Sequence, residues 1–285
     1  LEFHKLGYAK PLWSALFHCV SAFSTAGFSI YGQGLTLFRD DLSVTLIIAF
    51  LCYAGAIGFI IPMDIYKKVV DKNHNITFTT KVILFITALV CVGGTALYLV
   101  KSDHNVLAAF FQVMSASTTA GFNTVNIGAL STTSLSVLIA AMVIGASPSG
   151  TGGGIKTTSI SVLLGVVQSV MRGQFKQICF LNRTIPFNRV FTSIAAATTY
   201  IFTLIIVVYL LTLTEPFSFL ELCFEAASAL GTVGLSMGIT ADLSMWGKII
   251  LSIAMFLGRV GPLSLGIAIF KSETNVIPCK SDLAT

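Results

Sequence analysis

Charge is what this sequence has least of. Only 10% of its 285 residues are Asp, Glu, Lys or Arg, against 55% hydrophobic residues, and the mean hydropathy is +0.88. A soluble domain carries roughly 25% charged residues, so the shortage excludes an ordinary soluble module and points to an integral membrane protein. The six cysteines (Cys19, Cys52, Cys91, Cys179, Cys223, Cys279) contain no C-x-x-C pair. Neither a zinc site nor a disulfide framework is signalled, and they read as small apolar fillers. His4, His18, His74 and His104 lack metal-ligand spacing and read as loop or interface residues. No paired carboxylates, metal cluster or nucleophile–base constellation is seen, which argues against an enzyme.

What the sequence has instead is long apolar runs, at about 42–61, 79–100, 131–145, 160–170, 190–213 and 244–270. Several approach the ~20 residues that a helix needs to cross the hydrocarbon core. Strand-like alternation is not found, so helices are the spanning choice and an all-α integral membrane fold is predicted. The net charge of +5 does not indicate nucleic acid, because the basic residues cluster between the runs. Lys67, Lys68, Lys72 and Lys81 fall in one connection, Arg172, Lys176, Arg183 and Arg189 in another, and Lys271 and Lys280 in the tail. The alternate connections hold Arg39, Lys101 and Lys248. By the positive-inside rule the first set is cytoplasmic, and with it the C-terminus. The chain opens on LEFHKLGYAKPLW without an initiator methionine or a preceding span, and is read as starting part-way into a longer protein.

A repeat runs through the chain. FHCVSAFSTAGFS (17–29), FQVMSASTTAGFN (111–123) and FEAASALGTVGLS (224–236) align without a gap. They share F-x-x-x-S-A-x-x-T-[AV]-G-[FL]-[SN]. Each copy is a short apolar stretch, a Thr-x-Gly tip, a loop and then a full span; the charge pattern puts the tips on the non-cytoplasmic side. Non-helical backbone at membrane depth survives only where it is buried in protein or lines a watery cavity, so three such segments imply a pore or site on a shared axis. Thr232-Val233-Gly234 matches the start of the Thr-Val-Gly-Tyr-Gly loops whose carbonyls replace the water around potassium. Glycine admits backbone conformations closed to larger residues. The tips hold no carboxylate, favouring backbone coordination of a monovalent cation. Small-residue helix packing is the competing reading, and three copies in register weigh against it.

Between two half-length apolar runs lies GASPSGTGGGIKTTS (145–159). A nucleotide-binding loop needs G-x-x-x-x-G-K-[ST], but Ile155 stands where the second glycine belongs. Pro148 and the glycines at 150, 152, 153 and 154 interrupt any helix, so the pieces read as one broken span. Lys156 and Arg259 sit near membrane depth, where basic residues usually face a cavity and mark a pathway; snorkelling to the interface is the alternative for each. Glu221 and Glu225 lie four apart on the last short helix, either tuning the local potential or satisfying buried donors, and the sequence does not decide between these. Gly93-Gly94 reads as helix packing.

The motifs STTAGFNTV (117–125), GASPSGTGGGIKTTS (145–159), GTVGLSMGIT (231–240) and GRVGPLSL (258–265), in this order over essentially the whole chain, resemble the Trk/Ktr/HKT superfamily of potassium transporters, most closely the membrane subunit of bacterial Ktr-type systems. The resemblance implies span–pore helix–span units in a pseudo-fourfold arrangement around one potassium pathway, with the first repeat missing here. It divides the chain into a second repeat at 1–61 without its first span, a third at 79–171 with a broken second span, a fourth at 189–270, and a cytoplasmic tail at 271–285. It assigns the potassium filter to Thr25, Ala26, Gly27 and Phe28, to Thr119, Ala120, Gly121 and Phe122, and to Thr232, Val233, Gly234 and Leu235. Gly150, Thr151, Gly152, Gly153, Gly154 and Lys156 become an intramembrane gating loop, and Arg259 its partner and an electrostatic barrier to cations. The resemblance further implies K+ as the transported ion, Na+ as an activating ion, no covalent cofactor, a homodimer in the plasma membrane, and a cytoplasmic nucleotide-binding regulatory subunit of the KtrA/TrkA type. A secondary transporter of another solute, using broken helices, is the alternative.

Overall fold

The computed structural model describes residues 11–102, 105–174 and 177–270. His4, His104, Lys176, Lys271, Cys279, Lys280, the start of the 1–61 unit and the expected tail 271–285 lie outside the described residues. The rest is helical: α1 (Pro11–Phe23), α2 (Leu42–Ile57), α3 (Ile60–Val70), α4 (Phe78–Leu99), α5 (Val106–Ser117), α6 (Thr132–Val143), α7 (Thr157–Met171), α8 (Phe187–Thr214), α9 (Phe219–Leu230), α10 (Met245–Val260) and α11 (Pro262–Phe270). A minimal hairpin pairs Cys179–Phe180 with Arg183–Thr184 between α7 and α8.

Local chemistry sets most helix starts. The side chains of Asp41, Thr77, Asn105, Ser131, Ser218 and Ser244 each accept from an amide in the first turn of the helix they precede, meeting donors that the helix itself leaves unpaired. At α9 this becomes a full capping box with Glu221, and the Ser218 hydrogen bonds hold the Glu221 carboxyl below its ordinary range. Glu221 is therefore a helix-start residue. The buried Glu215 ends α8 and accepts from both the backbone N–H and the hydroxyl of Ser244, tying α8 to the start of α10.

Among the described residues, only α4, of 22 residues, and α8, of 28, are long and apolar enough to cross a bilayer alone. The runs 42–61 and 244–270, read from sequence as single spans, are instead bent pairs: α3 turns 89° from α2, and α11 turns 82° from α10. Gly58 (φ 72°) and Gly261 (φ 88°) stand at the bends, in conformations that a larger residue resists, and Pro262 restarts the chain after the second, where its fixed φ suits a first helical position. Arg259 consequently lies in the last turn of α10, next to the bend.

Of the tip-bearing short helices, α5 and α9 sit inside, while α1 keeps Leu12, Leu16 and Val20 exposed. On α5, Phe111 and Val113–Ala116 are essentially unexposed, and α9 is buried from Phe224 to Leu230. α4 and α8 instead present Leu89, Val92, Ile205 and Tyr209 outward, as lipid-facing helices do. α2 packs on α5, and α6 on α9, so the helix leaving each of the first two tips abuts the next tip-bearing helix.

Beyond the first bend, Asp64 of α3 clamps the connection to α4. Its Oδ1 lies 2.9 Å from His74 Nε2, and its Oδ2 accepts from the N–H and hydroxyl of Thr77 at 2.8 and 3.0 Å. The His74 hydrogen bond, with those of Thr80 and Thr77, holds the Asp64 carboxyl well below the usual carboxylate range. A depressed pKa means that the clamp is in full force above the ordinary Asp value of about 3.9 and fades only as pH falls below it. Asp64→Ala is expected to speed tryptic cleavage at Lys67, Lys68 and Lys72 at neutral pH; an unchanged rate would show that the carboxylate does not hold this connection.

Candidate functional site

The three tips share one construction. Thr25, Thr119 and Thr232 donate backbone N–H to Ala22, Ala116 and Ala229 at 3.1–3.2 Å, and the next residues, Ala26, Ala120 and Val233, donate to Ser21, Ser115 and Ser228 at 2.8–3.0 Å. This paired closure is the Schellman ending of a helix, whose left-handed position glycine usually takes. Here threonine takes it three times, with φ of 51°, 57° and 55°. A β-branched residue in that region is a genuine outlier, and such strain persists where the surroundings hold it in place. The repetition implies that the threonine side chain is in use.

Two residues on, Gly27, Gly121 and Gly234 have φ of 69°, 81° and 90°. The serine of the repeat holds the chain at or just beyond each glycine. Ser21 Oγ donates to the Phe28 carbonyl at 2.8 Å and Ser115 Oγ to the Phe122 carbonyl at 2.6 Å, while Ser228 Oγ accepts the Gly234 N–H at 3.1 Å.

The glycines also record how the tips sit side by side. A methyl group added to Gly27 would collide with the Ala120 carbonyl, and one added to Gly121 with the Val233 carbonyl; at Gly234 it would meet none of the described residues within 4 Å. Each tip thus leans on the next, and the third faces open space. The residues after the glycines agree: Phe122 and Leu235 are buried at 1% and 2% exposure, whereas Phe28, at the far edge of the series, is 71% exposed.

Residues 145–156 close against these tips. The two ends of the loop meet, Gly145 N–H donating to Ile155 O at 3.0 Å and Ile155 N–H to Val143 O at 2.9 Å. Ser147 and Thr151 donate backbone N–H to Ala56 and Gly55, carbonyls left over where α2 stops. The tip threonines contact the loop directly. Thr25 Oγ1 lies 2.8 Å from Thr151 Oγ1, and Thr119 Oγ1 accepts the Gly153 N–H at 3.2 Å. A methyl on Gly153 would fall 2.5 Å from Thr232 Oγ1, and one on Gly152 would collide with Thr119 Oγ1, so the third tip is in reach as well. Gly154 turns the chain at φ 74°, and Gly150 donates to Ser147 O at 3.0 Å.

Both basic residues singled out in the sequence hold loop carbonyls. Arg259 Nη1 donates to Thr151 O at 2.7 Å and Lys156 Nζ to Gly152 O at 2.6 Å, charge-assisted bonds to consecutive residues. A cavity of about 240 Å³ separates the loop from the α10–α11 bend, with Lys156, Tyr200, Arg259 and Pro262 on its wall. The structure therefore brings together the filter candidates, the glycine loop, Lys156 and Arg259.

Sequence reading did not find the threonine–loop contacts, although Thr at a fixed register before each glycine was their signal. His18, read from sequence as a loop or interface residue, is instead fully buried on α1 with Nδ1 2.7 Å from Ser14 O. Among the described residues the cysteines are free, and no cluster of three or more His, Cys, Asp or Glu could hold a metal ion.

A family model described as "TrkH: Cation transport protein" matches residues 5–276. The chain is 34% identical over 290 residues to "Ktr system potassium uptake protein B" of Vibrio alginolyticus, covering 98% of this chain and 63% of that protein. It is 32% identical over 274 residues to "Potassium/sodium uptake protein NtpJ" of Enterococcus hirae, covering 90% and 59%. Among solved structures, the potassium transporter TrkH of Vibrio parahaemolyticus superposes with a TM-score of 0.77 at 21% identity, over 94% of this chain and 60% of that one. That likeness shows the fold. The chain spans 63% and 59% of the lengths of these two relatives.

Proposed function

The chain belongs to the TrkH family of cation transport proteins, and we propose that it supplies the greater part of a potassium-selective pore. One observation carries this reading: three tips with the same left-handed Thr and positive-φ Gly, with the glycines of the first two lying against a carbonyl of the next tip. Such a series lines an axis with backbone oxygens, which can replace the hydration shell of a monovalent cation. The membrane character of the helices fits, and the family is one of transporters rather than enzymes.

In this proposal the filter is Thr25–Phe28, Thr119–Phe122 and Thr232–Leu235, the units 1–61, 79–171 and 189–270 are three quadrants, and a fourth tip fills the open side of Gly234. The 145–156 loop, seated beneath the threonines and held by Arg259 and Lys156, is the gate. A plasma-membrane homodimer with a cytoplasmic C-terminus, a nucleotide-binding regulatory subunit and activation by Na+ belong to the same proposal; they rest on resemblance.

The test is uptake. The full-length gene that carries this chain, expressed in bacteria lacking their own potassium uptake systems, is expected to restore growth at low K+ and to mediate 86Rb+ entry that excess K+ suppresses. Normal membrane abundance without Rb+ entry, or entry of an unrelated solute in its place, would favour the secondary-transporter alternative.

A further inference from the structure

The position after the leading phenylalanine of each repeat differs in residue type, as His18, Gln112 and Glu225, and so drops out of any pattern of identities. In space the three do the same thing. All are buried, at 0%, 0% and 4% exposure, and each reaches a hydroxyl on the chain leaving its own tip. His18 Nε2 lies 2.9 Å from Ser29 Oγ, Gln112 Nε2 donates to Thr124 Oγ1 at 3.0 Å, and Glu225 Oε1 accepts from Ser236 Oγ at 2.6 Å. The hydroxyl stands two residues after the glycine in the first and third copies and three after it in the second. A buried polar group without a partner is unfavourable, so each bond fixes the outgoing chain to the pore helix.

Glu225 does more than its counterparts. Its Oε1 also accepts the Met237 N–H at 3.0 Å, and its Oε2 accepts from Thr240 Oγ1 at 2.7 Å. All three donors are neutral, and no Lys or Arg pairs with the carboxylate among the described residues. A glutamine could keep this geometry, its amide nitrogen donating to Thr240 Oγ1, which also lies 2.8 Å from Ser236 Oγ. The brace does not require the charge, so the charge has another use. A buried, unpaired negative charge one hydroxyl away from the chain leaving Gly234 attracts cations to the tip, as fixed charges in low-dielectric walls do.

We propose, on the footing of the potassium-pore reading, that His18, Gln112 and Glu225 are positioning residues bracing the filter from behind, and that Glu225 also supplies a negative charge that raises cation occupancy.

The experiment compares wild type, Glu225→Gln and Glu225→Ala in the full-length protein by 86Rb+ uptake against K+ concentration and by competition with Na+. Surface abundance and thermal unfolding in detergent serve as checks of folding. Glu225→Gln should keep the K+/Na+ preference while weakening the apparent K+ affinity by about three- to tenfold, a gap that salt narrows little because the charge is buried. Glu225→Ala, which removes brace and charge together, should lose the preference as well. Unaltered affinity in Glu225→Gln overturns the electrostatic role. An intact K+/Na+ preference in a folded Glu225→Ala overturns the brace. If wild type carries no Rb+, the pore reading itself fails; if wild type carries it and both variants match it, only the inference fails.

Discussion

Replacing Gly121 by alanine is expected to reduce Rb+ uptake to background while leaving the protein in the membrane, and Gly27→Ala is expected to do the same. Two effects act together. At φ of 81° and 69° a Cβ is disfavoured by about 1 kcal/mol or more. The added methyl group would also occupy the place of the Val233 or Ala120 carbonyl oxygen, groups assigned here as ion ligands, and only displacement of the neighbouring tip relieves that overlap. The loss should therefore appear in conduction and in K+/Na+ preference more than in abundance, which quantitative blotting and equilibrium Rb+/Na+ competition separate.

Gly234 makes the comparison sharper. Its φ of 90° carries the same backbone strain, but no described residue lies within 4 Å of the place of its Cβ. If a fourth tip completes the ring, Gly234→Ala in the full-length protein should be as damaging as the other two. Tolerance of Gly234→Ala together with loss in the other two would mean that nothing leans on the third tip, and the four-quadrant proposal would have to be abandoned. Retained uptake in all three variants would remove the filter assignment.

The residues that sequence reading found and those it missed differ in a physical way. Identities were legible: Thr25, Gly27 and their counterparts recur because one backbone closure is built three times, and the serine of the repeat recurs because its hydroxyl ties the tip to the short helix before it in every copy. The short helices and the interrupted span were legible from length and from Gly and Pro content. Function held by equivalent geometry in different chemistry was not. His18, Gln112 and Glu225 make matching bonds through an imidazole, an amide and a carboxylate, and no one-dimensional pattern joins them. The bends at Gly58 and Gly261 were missed for other reasons. Gly58 lies in an apolar run, and its positive φ, with the Ser149 carbonyl packed where its Cβ would sit, is what rules out a continuous span there; at Gly261 the following Pro262 was a visible breaker that the reading of 244–270 as one run passed over. The second bend moves Arg259 to the end of its helix and so to the Thr151 carbonyl.

That placement gives the second large effect: Arg259→Ala is expected to raise Rb+ uptake at saturating concentration, by about fivefold. The loop is held from below by Arg259 on Thr151 O and Lys156 on Gly152 O, and from above by the Thr25 hydroxyl at Thr151. A hydrogen bond to a charged donor contributes about 1.5–3 kcal/mol when shielded. Arg259 is exposed, so about 1 kcal/mol is the fitting figure, and a loss of that size shifts a closed–open balance roughly fivefold toward open. Removing the guanidinium also takes a positive charge from the path of a cation, which acts in the same direction. Arg259→Lys separates the two contributions, since it keeps the charge but not the rigid fork that reaches the carbonyl; its uptake should fall between wild type and Arg259→Ala. Thr25→Val, which deletes the bond from above without touching any charge, should likewise raise uptake if the hydroxyl serves the gate, and should lower it if the hydroxyl serves only as an ion ligand. Normal abundance with unchanged or reduced uptake in Arg259→Ala would show that this arginine does not hold the loop shut.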